Sequence, residues 1–131
     1  MLTDSRGRRV YRGAVIGSGS IARTAHIPAF RQGPGVRDRI ELAAVVDVAD
    51  EVLPIDGLPL LHHPDEIESV GPIDFIDVCT PTASHLDLVL WGLERGYDVL
   101  CEKPVALNRA EAERIASAAR AAGRVVLPCH Q

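Results

Sequence analysis

Lys103 is the residue whose type points most directly to chemistry. It is the only lysine among fourteen cationic side chains, the others being arginines, and it lies in an otherwise apolar run that ends in Glu102, Lys103 and Pro104. An ammonium on a flexible stem can donate to a hydroxyl and move its proton, which a guanidinium cannot do near neutral pH. We therefore treat Lys103 as a candidate catalytic residue, with an ordinary surface lysine as the alternative.

A glycine-rich motif, Gly-Ser-Gly-Ser-Ile-Ala, occupies residues 17–22. Between a strand and a helix, this spacing is typical of a dinucleotide site. Gly17 permits the tight turn, Gly19 lets the backbone approach a pyrophosphate, and Ala22 allows close helix–strand packing. The helix N-terminus then directs unpaired N–H groups at the anion. The residues expected to contact the cofactor here are Gly17, Gly19, Ser20 and Ile21.

Asp47 lies at the end of the second predicted strand, where a carboxylate can accept hydrogen bonds from the adenosine ribose. It follows Ala22 at a distance somewhat beyond the usual ~20 residues, and the loop at residues 33–35 accounts for the excess. A carboxylate repels a 2′-phosphate, and the next residues, Val48 and Ala49, supply no cation to bind one. The sequence therefore favours NAD over NADP, with a solvated strand-end carboxylate as the alternative interpretation of Asp47.

These candidates need a scaffold, and alternating apolar and amphipathic segments predict an α/β fold. We expect a doubly wound parallel sheet of about six strands, the Rossmann type, in the order 3-2-1-4-5-6. The crossover helix after strand 2 is expected to be reduced or absent, because that segment contains Pro54 and Gly57. The predicted strands cover residues 11–16, 40–47, 58–61, 73–79, 97–101 and 124–127.

Helix signals separate these strands. Pro28 should interrupt or kink the helix opened by the glycine motif. An apolar stripe predicts a helix over residues 84–95, and residues 64–70 suit a short one. Asn108 as N-cap, with Glu111 three residues later, starts the last helix, which ends at Gly123. The first nine residues are expected to be disordered.

The same fold places Lys103 in relation to the cofactor. Ligands of doubly wound sheets bind at the carboxyl ends of the strands, and Pro104 marks such an end because it cannot continue a central strand. Thr80 and Pro81 occupy the equivalent position after the fourth strand. We therefore expect both segments to face one crevice.

Taken together, these stretches resemble the Gfo/Idh/MocA family of glucose-fructose oxidoreductases and inositol dehydrogenases. The matching motifs span nearly the whole chain, and Glu-Lys-Pro after the fifth strand is the most distinctive. They are the glycine motif followed by His26, Ile27, Pro28 and Ala29, then Asp47, then Cys79, Thr80 and Pro81 with His85, and Glu102, Lys103 and Pro104 followed by Asn108.

The resemblance implies hydride transfer between a nicotinamide cofactor and a secondary alcohol of a sugar, inositol or related polyol. It implies that Lys103 contacts the reacting hydroxyl, and that Glu102 and Pro104 shape its turn. His85 matches a family position, although a structural role is equally consistent with its place in a first helical turn. The residues that the resemblance adds to the cofactor site are Thr80, Pro81, His85, Glu102 and Lys103.

The chain departs from the family at its end, because family members continue into a second domain that holds the substrate. We expect residues 1–131 to form one dinucleotide-binding domain without that partner. One interpretation is the cofactor-binding part of a dehydrogenase, so whether this chain alone is an enzyme stays open. The alternative is a stand-alone cofactor-binding or protein-interaction module without catalysis, in which a partner domain or a second copy covers the exposed sheet face.

Composition argues against several other classes of protein. The net charge of −4 and scattered arginines argue against nucleic acid, and no apolar run approaches the roughly 18 residues of a membrane span. Three cysteines without metal-ligand spacing indicate a reducing cytoplasm rather than disulfides. A metal cluster of Cys79, Cys101 and Cys129 with His130 is a weaker alternative, and no metal site is expected.

Overall fold

The computed structural model describes residues 1–130 of the chain. Within them, strands alternate with helices as the sequence predicts. The strands are β1 Leu2–Thr3, β2 Arg9–Ile16, β3 Ile40–Val46, β4 Leu60–Leu61, β5 Phe75–Val78, β6 Asp98–Glu102 and β7 Val126–Cys129. The α-helices are α1 Ile27–Gln32, α2 His85–Glu94 and α3 Arg109–Ala122, and shorter helical segments are the π-helical turn Ala22–His26 and the 3₁₀ turns Pro64–Val70 and Thr82–Ser84.

Six of the strands form a parallel sheet in the order β4-β3-β2-β5-β6-β7. This is the predicted order 3-2-1-4-5-6, with β2 as the first predicted strand. From β2 the chain adds β3 and β4 on one side and then crosses to β5 on the other side of β2. This change of direction creates a switch point at the carboxyl ends of the strands. The predicted fold class is confirmed, and the sheet has one further strand that the sequence did not indicate.

That additional strand lies in the first nine residues, where disorder was expected. Leu2 and Thr3 pair antiparallel with Val10 and Arg9. The intervening turn is fixed by Asp4, whose carboxylate accepts hydrogen bonds from the N–H groups of Arg6 and Arg8. A side chain that satisfies turn amides in this way orders a polar segment without a hydrophobic core.

Both faces of the sheet are covered, as a doubly wound fold requires. Alternate residues of β2 point to opposite faces, so Ala14 and Ile16 pack against the α2 and α3 side while Val15 packs against α1. Ile115 of α3 and Val89 of α2 complete the larger cluster. The glycine motif and α1 cover the second face near β2 and β3.

The helix after the glycine motif contains the irregularity expected from Pro28. Pro28 has no N–H to donate to the carbonyl of Thr24, and the Ile27 N–H instead reaches back five residues to the Ala22 carbonyl. The resulting π-helical turn directs His26 toward the sheet, beside β5. The proline therefore affects the site as well as the helix.

The segment between β3 and β4 contains no helix, which confirms the reduced crossover. Its backbone is irregular from Asp47 to Pro59, and Leu53 and Val48 are largely exposed. β4 is only two residues long because it is an edge strand paired to Val45 and Val46 of β3. The ends of the crossover lie beside Asp47, so this open loop borders the predicted ribose position.

The capping signals of the last helix are confirmed. The side-chain oxygen of Asn108 accepts a hydrogen bond from the Glu111 N–H at 3.0 Å, and the Glu111 carboxylate accepts from the Leu107 N–H at 2.9 Å. Gly123 ends α3 in the left-handed conformation. The Arg124 N–H still bonds to the helix, so β7 begins at Val126, two residues later than predicted.

Candidate functional site

The carboxyl ends of β2, β3 and β5 border a cavity of about 520 Å³. It lies at the switch point of the sheet, where ligands of such folds bind. A larger cavity of about 650 Å³ lies at the opposite ends of the strands, near Arg9 and Asp74, away from every predicted site residue. Five of the predicted cofactor residues line the first cavity: Gly17, Gly19, Asp47, Thr80 and Pro81.

The two glycines of the motif serve different physical needs. Gly17 has a φ of +94°, and a Cβ on it would lie 2.9 Å from the carbonyl carbon of Cys79. A Cβ on Gly19 would meet no atom within 4 Å. Gly17 is therefore required by the fold itself, whereas the open space above Gly19 lies where a pyrophosphate would approach.

Ser20 and Ile21 begin the helix next to this opening without lining the cavity. Ser20 is exposed, and its carbonyl accepts a hydrogen bond from the hydroxyl of Thr24. The first N–H groups of a helix have no partner within the helix, so the predicted role of this helix start is to direct such groups at an anion.

Asp47 is fixed in the cavity wall by three hydrogen bonds. Its Oδ2 accepts from the N–H of Ser18 at 2.9 Å and the hydroxyl of Ser18 at 2.6 Å, and its Oδ1 accepts from the Ala49 N–H at 3.0 Å. Burial opposes ionisation, but these hydrogen bonds and nearby Arg23 outweigh it and lower the pKa of Asp47. The carboxylate is therefore charged and oriented at the predicted ribose position.

Thr80 and Pro81 form the loop after β5 and are joined to the Lys103 turn by His85. This histidine is 1 % exposed, its Nε2 lies 2.8 Å from the Thr80 carbonyl oxygen, and its Nδ1 lies 2.9 Å from the Pro104 carbonyl oxygen. The structure places His85 behind both loops, outside the cavity lining. Its geometry supports the structural interpretation of this residue, a connector between two segments of the crevice.

Lys103 follows β6, the strand next to β5, and its side chain is exposed. Glu102 is only 8 % exposed, and its Oε2 accepts a hydrogen bond from the Lys103 N–H at 3.1 Å. Burial would raise the pKa of Glu102, but hydrogen bonds from His26 and from the Lys103 amide lower it. Neither residue lines the cavity, and the Lys103 turn is connected to the Thr80 loop through the ring of His85.

Asp77 and His26 form a charged network that the motif analysis did not identify. Asp77 is fully buried in β5, and its Oδ2 lies 2.7 Å from Nδ1 of His26. The other ring nitrogen, Nε2, lies 2.7 Å from Oε1 of Glu102. The sequence contained one signal: a carboxylate in the middle of a fully buried strand requires a partner.

Two members of this network, His26 and Asp77, lie close enough to Cys129 to be considered as metal ligands. His26, Asp77 and Cys129 each offer a donor atom, and the three atoms lie within 4.8 Å of one another. Both nitrogens of His26 already face carboxylate oxygens, which leaves no free ring lone pair for an ion. This group differs from the cluster considered from the sequence, which combined Cys79, Cys101 and Cys129 with His130, because only Cys129 belongs to both.

The cysteines are thiols, without disulfides. Cys79 and Cys101 are buried and Cys129 is half-buried. Burial is the main cause that raises the pKa of Cys101 to about 12, and burial together with Asp77 raises that of Cys79 further. No helix in residues 1–130 is long and apolar enough to cross a membrane.

Similarity to known proteins gives independent evidence on the family of this chain. The chain is 32% identical over 126 residues to D-apiose dehydrogenase of Paraburkholderia graminis, covering 92% of this chain and 32% of that protein. It is 32% identical over 97 residues to inositol 2-dehydrogenase 4 of Saccharopolyspora erythraea, covering 68% and 29%. The WlbA dehydrogenase of Bordetella pertussis, solved with NADH and UDP-GlcNAcA, superposes with a TM-score of 0.82 at 26% identity, covering 92% and 37%.

The chain thus spans about a third of the length of these relatives. A family model for oxidoreductases with an NAD-binding Rossmann fold matches residues 11–130. The match contains the glycine motif, Asp47, the loop after β5 and the Glu-Lys-Pro turn. Sequence motifs, sheet order and relatives agree, and the chain belongs to the Gfo/Idh/MocA oxidoreductase family as its NAD-binding Rossmann domain.

Proposed function

We propose that this domain presents NAD(H) to a secondary alcohol or ketone of a sugar, inositol or related polyol, with Lys103 as the catalytic residue. One observation carries the proposal: the cavity at the switch point is lined by Gly19, Asp47 and Thr80, and the Lys103 turn directly follows β6, the strand paired with β5. The cofactor supplies the hydride acceptor or donor. This chain supplies its binding surface and one proton-exchanging group.

Each part of the cavity then has a distinct task. The N–H groups beside Gly19 bind the pyrophosphate, and Asp47 accepts hydrogen bonds from the ribose hydroxyls. Thr80 and Pro81 line the cofactor between the glycine motif and Lys103. When the alcohol is oxidised, the neutral amine of Lys103 takes the hydroxyl proton, and when the ketone is reduced, the ammonium of Lys103 gives a proton to the substrate oxygen.

NAD is favoured over NADP because of the charge at the ribose position. The carboxylate of Asp47 is ionised and fixed by Ser18, so a 2′-phosphate would meet a negative charge. The nearest cation, Arg23, is held by the backbone carbonyls of Ser18 and Leu53. A guanidinium engaged in this way is not directed at a phosphate.

The substrate class is proposed from the relatives, which act on a sugar and on inositol as their names state. The exposed Lys103 side chain supports it, because a lysine at the crevice can contact a hydroxyl of a substrate held from outside this domain. The three free cysteines support a reducing compartment such as the cytoplasm.

A titration of this chain with NADH and separately with NADPH, followed by nicotinamide fluorescence, tests the cofactor assignment. Saturable binding with NADH at least about tenfold tighter is expected, which corresponds to roughly 1.4 kcal/mol of discrimination. Equal affinity for the two nucleotides would overturn the preference. Lys103→Met should bind NADH as the unchanged chain does, because Lys103 lies outside the cavity lining.

A further inference from the structure

His26 is the centre of a buried network that joins three elements beside the Lys103 turn. It lies at the end of the π-helical turn, Asp77 is in β5, and Glu102 ends β6. Both contacts to the ring are 2.7 Å, and the side chains are 11% exposed for His26, 0% for Asp77 and 11% for Glu102. These distances and this burial make the network a fixed part of the structure.

The two hydrogen bonds of the His26 ring define how many protons the ring must hold. An ionised carboxylate only accepts hydrogen bonds, so each nitrogen of His26 needs a proton to bond with the carboxylate it faces. A neutral imidazole has one N–H and would direct its lone pair at the other carboxylate. An imidazolium between Asp77 and Glu102 satisfies both contacts.

The groups around the His26 ring favour its positively charged form. The hydrogen bond to Asp77 raises the pKa of His26 to about 9 against the opposing effect of burial, and Glu102 adds to the increase. The other titratable groups that act on Asp77 or Glu102 are the neutral thiols of Cys79, Cys101 and Cys129 and the side chain of Lys103. In residues 1–130, Asp77 has one buried oxygen, Oδ1, without a hydrogen-bond partner, so it depends on His26 for compensation.

Glu102 transmits this arrangement to Lys103. One of its oxygens, Oε1, contacts His26, and the other accepts from the Lys103 N–H. Because both oxygens are engaged, the carboxylate cannot turn outward to the Lys103 ammonium. On the other side of Lys103, Nδ1 of His85 lies 2.9 Å from the Pro104 carbonyl oxygen.

We infer that His26 is a positioning residue for Lys103, which holds Glu102 in the interior and offsets the two carboxylates beside the lysine amine. The catalytic role of Lys103 rests on the proposed function. The effect of His26 on the reactivity of the Lys103 amine can be measured without enzymatic turnover. If the imidazolium is removed, the freed Glu102 carboxylate stabilises the ammonium of Lys103. The amine then retains its proton and is less reactive.

Lys103 provides its own readout because it is the only lysine in the chain. Acylation of this amine by an N-hydroxysuccinimide ester at about pH 8, followed by mass spectrometry of the peptide that contains it, measures its reactivity. His26→Asn should lower the acylation rate by about three- to tenfold. His26→Arg, which restores a cation between the carboxylates, should recover most of the rate.

His62→Asn is the matched control, because His62 is exposed and outside the network. Its acylation rate should equal that of the unchanged chain. A folded His26→Asn chain, verified by circular dichroism, that is acylated at the unchanged rate would overturn the inference. NADH titration of the unchanged chain tests the proposed function separately, so the two ideas can fail independently.

A second measurement applies if His26→Asn does not fold. In the unchanged chain, ¹⁵N NMR at about pH 7 should show both ring nitrogens of His26 in the protonated range. A neutral ring would contradict the positioning role, since one carboxylate would then be left facing a lone pair.

Discussion

Nε2 of His26 lies 2.7 Å from Oε1 of Glu102, although the two residues are 76 positions apart in sequence. The contact joins the helix opened by the glycine motif to β6, the strand that directly precedes Lys103. Asp77 holds the opposite side of the same ring. The π-helical turn after the glycine motif and the Lys103 turn are therefore linked through the interior of the domain by His26, Asp77 and Glu102.

This link makes stability dependent on pH. The hydrogen bond to Asp77 is the main cause that raises the pKa of His26 from 6.5 to about 9, with Glu102 contributing. A raised folded-state pKa gives a stabilisation that is complete below about pH 6.5 and is lost as pH rises through about 9. The free energy of unfolding should fall by up to about 3 kcal/mol over that interval, measured by urea denaturation.

His26→Gln removes the titrating group and should flatten this part of the stability profile. His62→Gln changes an exposed histidine in a loop and should keep it. Equal loss of stability between pH 6.5 and 9 in the His26 variant and the unchanged chain would show that another group is responsible.

The two motif glycines should respond differently to a methyl group. Gly17→Ala forces a non-glycine residue to a φ of +94° and brings Cβ to 2.9 Å from the Cys79 backbone. A loss of about 1 to 3 kcal/mol in the free energy of unfolding is expected, measured by urea denaturation. Gly19→Ala meets no atom within 4 Å, so its stability should change by less than about 0.5 kcal/mol.

Gly19→Ala should weaken cofactor binding even though it leaves stability nearly unchanged. Its methyl group would occupy the space above the helix N-terminus, and NADH affinity should fall by about tenfold or more in a fluorescence titration. If Gly19→Ala binds NADH as tightly as the unchanged chain, the pyrophosphate does not lie there.

Asp47→Asn should weaken NADH binding by about tenfold and reduce the preference over NADPH. The substitution keeps the shape of the side chain and removes the charge that favours ribose hydroxyls over a 2′-phosphate. Both affinities are measured by nicotinamide fluorescence. Asp38→Asn, an exposed change on the loop before β3, should alter neither affinity. Unchanged discrimination in Asp47→Asn would remove this residue from the ribose site.

The buried thiols should be inert in the folded chain. Burial holds the pKa of Cys101 at about 12 and that of Cys79 above its ordinary value, so few thiolates form at about pH 8. Labelling of both by a disulfide reagent should be roughly a hundredfold slower than in denaturant. Cys129→Ser removes the half-buried thiol and isolates the other two. Rapid labelling of that variant in its folded state would contradict the assigned burial.

Local patterns predicted most of the fold. The positions of the six parallel strands, the missing crossover helix and the Asn108 cap each depend on short-range signals: apolar runs, proline and glycine, and capping side chains. The strand order was predicted from the doubly wound fold class that these alternating elements indicate. The first nine residues were predicted incorrectly because their order depends on the Asp4 turn and on pairing with β2. Amino-acid composition does not indicate such strand pairing.

The sequence by itself determined the dinucleotide-binding architecture and the residues at its carboxyl edge, because strand ends and turns are encoded locally. Only the tertiary structure decided how those residues are supported. It revealed that the ring of His85 lies between two loop carbonyl oxygens and that His26 bridges Asp77 and Glu102. These contacts join residues from different strands and helices, and their charge compensation exists only where folding excludes water and brings such groups within hydrogen-bond distance.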